Sequence, residues 1–381
     1  MLLDANENAY GPGLALESNG KLADGTQGMS SIDVDLVGLN RYPDPHQDGL
    51  KSLLCTLRNT HTHTSKTLTP SNVFVGVGSD EAIDALVRAF CRPGHDKMLV
   101  CPPTYGMYAV SAQVNDIALV RVPLQVPSFD LDVPAMLAAL SADPHIKLAY
   151  LCSPGNPTGT LLGKQDVERI LQHESWNGVV VVDEAYIDFA GPGASLAECV
   201  NDWPNLVVVQ TLSKAFGLAG IRLGAAFAAP SVARLLNNIK APYNISAPTS
   251  RIATAALHDP HLRVMRQNVA RILDQRDRLL RELPRIPGIG ALRGGVDANF
   301  LLFPVLDAPG AGRPSNDVAL QVYEALAEQR SVVVRFRGTE HGCEGCLRIT
   351  VGTEDEVTRF LREVRDVLEG IYAGRKSGGG N

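Results

Sequence analysis

The sequence predicts an α/β fold: a large domain with a mostly parallel sheet flanked by helices, and a smaller α/β domain beside it. Short β-branched runs (VFVGV, KMLVC, KLAYL, GVVVVD, LVVVQ and GAAFAA) alternate with helical stretches from Val73 onward. Apolar runs of that length, separated by helices, mark strands buried on both faces of a sheet. A chain of 381 residues exceeds a single small module, which favours one large domain plus a second. Its 45% hydrophobic and 20% charged residues suit a globular protein with a sizeable core.

Taken in order, residues 11–40 are rich in Gly, Ser and Asp with weak periodicity and read as a surface excursion. HTHTSKT (61–67) reads as a solvated loop. His61 and His63 sit two apart there, but no third metal ligand is near in sequence. VFVGV leads into a helix from Ser79, KMLVC into a helix beyond Tyr105, and KLAYL into a loop; GVVVVD, LVVVQ and GAAFAA follow. From about Pro230 to Leu283 the chain is mostly helical, and Pro284 and Pro287 end that run. ANFLLF, a helix near 316–328, strands VVVRF and CLRITV, and a last helix complete the smaller domain. The division expected is 46–284 for the large domain, 1–45 with 285–372 for the small one, and a disordered tail over 373–381.

A net charge of −6 without a basic stripe argues against nucleic-acid wrapping, so an anionic ligand must be held by a few placed cations. The opening MLLDANENAYGP has no basic and apolar leader, and no run reaches the roughly 18 apolar residues of a membrane span. The odd count of seven cysteines fits reduced thiols and a cytoplasmic or organellar setting. Cys343 and Cys346 form a lone CxxC with no second pair nearby, which reads as a turn before a strand.

The chemistry sits at strand ends, where ligands of open α/β sheets bind. In Gly76-Val77-Gly78-Ser79-Asp80-Glu81, glycines allow close backbone approach and a helix opens at Ser79. Free N–H groups there can hold a phosphate, or Ser79 can be an ordinary N-cap. The rigid loop CSPGNPTG aims the Asn156 amide inward. Asp183 closes a buried apolar strand and calls for a cationic partner, which a protonated pyridine ring supplies; a helix-capping carboxylate is the ordinary alternative. Tyr186, three residues on, can reach the ring oxygen of that pyridine. Lys214, in the apolar loop TLSKAFG, loses ammonium solvation and so gains nucleophilic character, while Ser213 and Arg222 offer a donor and a cation for a phosphate. Arg335 and Arg348 lie inside apolar strands and need anions: a bidentate substrate carboxylate or phosphate, or a structural ion pair.

Together these stretches resemble the fold-type I pyridoxal-phosphate (PLP) aminotransferases and, within them, the histidinol-phosphate aminotransferase family. LDANENAYGP, NRYPDP, GVGSDEAIDALVRAF, CPPTYGMY, CSPGNPTG, VVDEAYIDF, TLSKAFGLAGIRLG, APYNIS and CLRITVGT carry the likeness, in family order from Leu3 to about Leu368. The resemblance implies PLP as cofactor, with Lys214 joining its aldehyde and moving the proton. It implies Asp183 on the pyridine nitrogen, Asn156 and Tyr186 on the ring oxygen, and Tyr105 stacked on the ring. Ser79, Asp80, Ser213 and Arg222 are then expected around the phosphate, with Tyr42 reaching the cofactor of a neighbouring subunit in a homodimer. Arg348 and Arg335 are expected to hold the substrate anion, with Asn8 and Tyr243 nearby. The implied reaction is reversible amino transfer between histidinol phosphate and 2-oxoglutarate, in histidine biosynthesis. Neighbouring readings are an aminotransferase for aromatic amino acids, a PLP-dependent decarboxylase of a phosphorylated amino acid, and a non-catalytic PLP-binding relative. A nicotinamide-dependent dehydrogenase lacks its third glycine.

Overall fold

The computed structural model describes residues 1–15, 39–310 and 312–378, so most of the surface excursion expected over 11–40 lies outside the described residues. The first helix, α1 (Asp48–Arg58), turns Leu50, Lys51, Leu54 and Cys55 inward. There follow β1 (Val73–Val77), α2 (Gly78–Phe90), β2 (Lys97–Val100), α3 (Met107–Val114) and β3 (Ala118–Arg121). Next come α4 (Val133–Ala142), β4 (Ile146–Cys152), α5 (Lys164–Leu171), β5 (Val179–Asp183), β6 (Leu206–Thr211) and β7 (Leu223–Ala228). The helical stretch comprises α6 (Pro230–Ile239), α7 (Ala247–Ala256) and the long α8 (His261–Glu282). The remainder is β8 (Phe300–Pro304), α9 (Asn316–Arg330), β9 (Arg335–Phe336), β10 (Cys346–Thr350) and α10 (Glu354–Gly378).

Seven strands form the large sheet in the order β1-β7-β6-β5-β4-β2-β3. Only β7 runs against its neighbours, pairing antiparallel with both β1 and β6. Successive residues of the strands face opposite layers, as the pleat requires. Val180 and Val182 of β5 join one apolar cluster, Val179 and Val181 the other. Burial on both faces is why β5 and β6 read as unbroken valine-rich runs. The sequence does not reveal β3, a four-residue edge strand with both end residues exposed, because an edge needs no continuous apolar run.

The smaller sheet, β8-β10-β9, is antiparallel. The amino-terminal segment joins it: Leu3 donates to the Val333 carbonyl (2.7 Å) and accepts from Thr350 (3.0 Å). At the other end, α10 runs through residues 373–378 where a disordered tail is expected. An amphipathic helix already nucleated over Glu354–Tyr372 extends cheaply one residue at a time through Ala373 and Arg375. Residues 379–381 lie outside the described ones. Among the described residues no helix is long and apolar enough to cross a membrane.

All seven cysteines are free thiols. Cys343 and Cys346 are fully buried in the turn that leads into β10, and burial pushes both thiols up to about 12. In the 61–67 loop the His63 ring bonds the Gly193 carbonyl (2.8 Å).

Candidate active site

The carboxyl ends of β4, β5 and β6 and the start of α2 open onto one cavity of about 650 Å³, closed on the far side by the amino-terminal segment and the small sheet. Ser79, Asp80, Tyr105, Asn156, Asp183, Tyr186, Ser213, Lys214, Arg222, Arg335 and Arg348 all line it. The strand-end stretches singled out in the sequence therefore converge on one space.

Asp183 is the last residue of β5, and the apolar sheet leaves it 2% exposed. It accepts from the Tyr108 hydroxyl (2.7 Å) and the Ala185 amide (3.1 Å), and no described residue forms an ion pair with it. Burial lifts its carboxyl from 3.8 to about 6. Tyr186 follows on the loop, and its hydroxyl lies within reach of the amides of Asn6 (3.0 Å) and Asn156 (3.5 Å). Since both neighbours donate, the phenolic proton is left for a third partner.

Lys214 stands beyond β6, its amine on the Ala5 carbonyl (3.0 Å) and 5.8 Å from the Tyr186 ring centre. Burial first, and then the Arg348 charge, lowers its ammonium from 10.5 to about 8. A lysine so depressed is about one-tenth neutral at pH 7, several hundredfold more than an ordinary lysine.

At the other end, α2 begins at Gly78 rather than being capped by the Ser79 side chain, so the ordinary N-cap reading does not hold. Arg222 reaches Ser213 Oγ (3.4 Å) and Asp80 Oδ2 (3.4 Å), and Tyr105 donates to Asp80 Oδ1 (3.2 Å). Gly78 has φ +71, and a Cβ there would lie 2.6 Å from Arg222 Nη2; one on Gly224 would lie 2.3 Å from the Ser79 nitrogen. Only glycines leave this cradle open.

The end of the cavity under the small sheet is cationic. Arg348 of β10 lies directly opposite Arg335 of β9. Neither forms an ion pair among the described residues; the nearby Glu340 carboxylate is paired with Arg337 instead (2.7 Å). Arg348 is 5% exposed, donates to Asn156 Oδ1 (2.6 Å) and to the Asp4 carbonyl, and has a buried Nε without a partner. Burial, with Arg337 and Arg335 beside it, lowers its guanidinium to about 10, which keeps it charged at neutrality.

Two expected residues stand elsewhere in this chain. Asn8 is buried, but its amide donates to the Ala215 carbonyl (2.9 Å) and accepts from Tyr10 (3.0 Å), fastening the amino-terminal segment instead of lining the cavity. Tyr243 is stacked on Tyr42, with ring centres 4.5 Å apart, and does not line the cavity. Tyr42 itself is 81% exposed, away from this chain's cavity. Sequence reasoning missed Tyr108, Asn6 and Arg337. Strand alternation offered a signal for Arg337, since residues 335 and 337 fall on one side; Tyr108 and Asn6 carried none beyond their stretches.

The donor set fits PLP. A pyridine nitrogen answers the otherwise uncompensated Asp183, a ring oxygen the free Tyr186 proton, an aldehyde the Lys214 amine, and a phosphate the glycine-lined cradle with Ser213 and Arg222. A separate group of potential metal ligands, His95, Asp96 and His145, lies before β2 and β4 at the opposite end of the sheet. There the Arg92 guanidinium already holds Asp96 (3.0 Å).

A family model described as aminotransferase class I and II matches residues 1–364. Histidinol-phosphate aminotransferase of Schizosaccharomyces pombe is 51% identical over 372 residues, covering 98% of this chain and 92% of the relative. That of Candida maltosa is 48% identical, covering 97% and 92%. Among solved structures, histidinol-phosphate aminotransferase from Sinorhizobium meliloti in complex with pyridoxal-5'-phosphate superposes with a TM-score of 0.78 at 23% identity, covering 97% of this chain and 91% of that one.

Proposed function

The chain belongs to the class I and II aminotransferases, and within them to the histidinol-phosphate aminotransferases; from that premise we propose how its own residues carry the reaction. It is a PLP-dependent enzyme of reversible amino transfer between L-histidinol phosphate and 2-oxoglutarate. When bound, the cofactor supplies the aldehyde that takes up the amino group and a ring that draws electrons from the substrate α-carbon.

Asp183 would face the ring nitrogen and keep the ring electron-poor, Tyr186 and Asn156 would donate to the ring oxygen, and Tyr105 would stack on the ring. Ser79, Ser213, Arg222 and the backbone amide of Asp80 would hold the phosphate. The Lys214 amine, more readily deprotonated because of burial, would receive and return the proton at the substrate α-carbon. Arg348 and Arg335 fork onto the substrate anion, a carboxylate in glutamate and a phosphate in the amine, so one site serves both halves of the cycle.

What carries this reading is Lys214 and Asp183 on the wall of one cavity whose rim holds two arginines without ion-pair partners. Tyr42 and Tyr243, exposed and stacked away from this cavity, support a homodimer in which Tyr42 serves the neighbour's phosphate. Two separate sheets support a large domain of 46–284 and a small one of 1–45 with 285–372, and free thiols support a cytoplasmic setting. Coupled turnover of histidinol phosphate with 2-oxoglutarate tests the activity. Wild type should yield glutamate, and Lys214→Ala should yield none. Carbon dioxide release from a phosphorylated amino acid, without glutamate formation, would replace this reading by the decarboxylase.

A further inference from the structure

Beside Arg335 and Arg348, a third guanidinium lines the same end of the cavity: Arg337, just past the end of β9, where its amide still pairs with the Cys346 carbonyl (2.9 Å). Arg337 Nη1 is held by Glu340 Oε1 (2.7 Å), and Nη2 meets Asn156 Oδ1 (3.2 Å), the same oxygen that receives Arg348. Its Nε is buried and has no partner.

Such an arrangement is unfavourable unless an anion enters it. Like charges directly opposite on neighbouring strands destabilise a sheet, and Arg335 faces Arg348 in register. The nearest compensation is Glu340, paired with Arg337 at 2.7 Å; burial raises its carboxyl, against which Arg337, then Arg348 and Arg335, favour the charged form. Three guanidiniums against one carboxylate leave two positive charges. A phosphate dianion balances them with one group at one point, whereas glutamate matches that charge only by bringing both of its separated carboxylates. Reach adds to charge: in an amine without an α-carboxylate, the phosphate hangs on an extra C–O link and so extends farther from the α-carbon than a carboxylate does.

We propose that Arg337, anchored by Glu340, is a specificity-determining residue that selects the doubly charged phosphate substrate over the carboxylate substrate. The proposal rests on the phosphorylated-amine reading of the site.

The experiment compares Arg337→Gln and Arg337→Lys with wild-type holoenzyme, measuring KM and kcat for histidinol phosphate and for glutamate separately. Loss of one charge-assisted contact predicts a rise of about ten- to hundredfold in the histidinol-phosphate KM of Arg337→Gln. The glutamate KM should move far less, and Arg337→Lys should recover part of the loss as a point charge without the fork. The wild-type to Arg337→Gln ratio of kcat/KM for the phosphate substrate should also grow as pH rises through about 6, where a phosphomonoester takes its second charge. Equal changes for both substrates, or a ratio flat with pH, would reduce Arg337 to a support for Asn156 and overturn the proposal; so would a larger effect on glutamate. Binding of inorganic phosphate to the holoenzymes, read by calorimetry, keeps the two readings apart. Were histidinol phosphate not a substrate at all, weaker phosphate binding by Arg337→Gln would still support the subsite, and unchanged binding would refute it.

Discussion

Asp183→Asn should make the cofactor-free protein more stable at alkaline pH while abolishing its chemistry. In the cofactor-free chain the Asp183 carboxyl lies at about 6 against an ordinary 3.8, because the sheet strips it of water. A rise of about two, at about 1.4 kcal/mol each, amounts to about 3 kcal/mol. Below about pH 4 the group is protonated in folded and unfolded chains alike and contributes no difference. Between about 4 and 6 the folded chain keeps a proton the unfolded one has released, so stability falls as pH rises through that window. Above it the whole penalty applies. Asparagine does not ionise, and it keeps both existing hydrogen bonds, with Oδ1 on the Ala185 amide and Nδ2 donating to a rotated Tyr108 hydroxyl. The stability of Asp183→Asn relative to wild type should therefore climb by about 3 kcal/mol between pH 4 and pH 8. Urea unfolding at fixed protomer concentration across that range reads it directly. Glu184, lifted to about 7 by its own burial, titrates in both proteins and cancels from the difference. A relative stability flat with pH, or falling, would refute the claim that Asp183 is an uncompensated buried charge awaiting a cation.

Three further outcomes follow from the same geometry. The rate at which cofactor-free protein captures PLP should rise with pH through a midpoint near 8, where half of the Lys214 amine has lost its proton, before it levels off; stopped-flow absorbance measures it, and a plateau already reached at pH 6 would contradict the lowered ammonium. Arg348→Gln should reduce kcat/KM for both substrates by about a hundredfold or more, since the anion loses its buried fork, and steady-state kinetics should show no substrate spared. Mixed dimers of Tyr42→Ala with Lys214→Ala should regain turnover that neither parent shows, because one cavity per dimer then has both a lysine and the neighbour's tyrosine; absence of complementation would place Tyr42 outside the neighbour's site.

How much of this was legible in the sequence depends on the direction of each contact. A residue at the end of a buried strand announces itself, because the apolar run and the abrupt charge or amide are adjacent in the chain: β5 into Asp183, β6 towards Lys214, β4 towards Asn156. Edge strand β3 and helix α1 had no such contrast, being half-exposed and weakly apolar. The contacts that tune the site run across the fold instead. Tyr108 reaches Asp183 from α3, 75 residues away, and Asn6 reaches Tyr186 across 180. Arg337 and Arg348 meet on one oxygen of Asn156, 181 and 192 residues distant. No local pattern encodes which distant donor will satisfy a buried carboxylate or amide, only that one must exist. The sequence thus predicted the demand and left the supplier to the packing. The converging arginines invert that logic: here the fold supplies the donors, and the anion is what the chain itself does not provide.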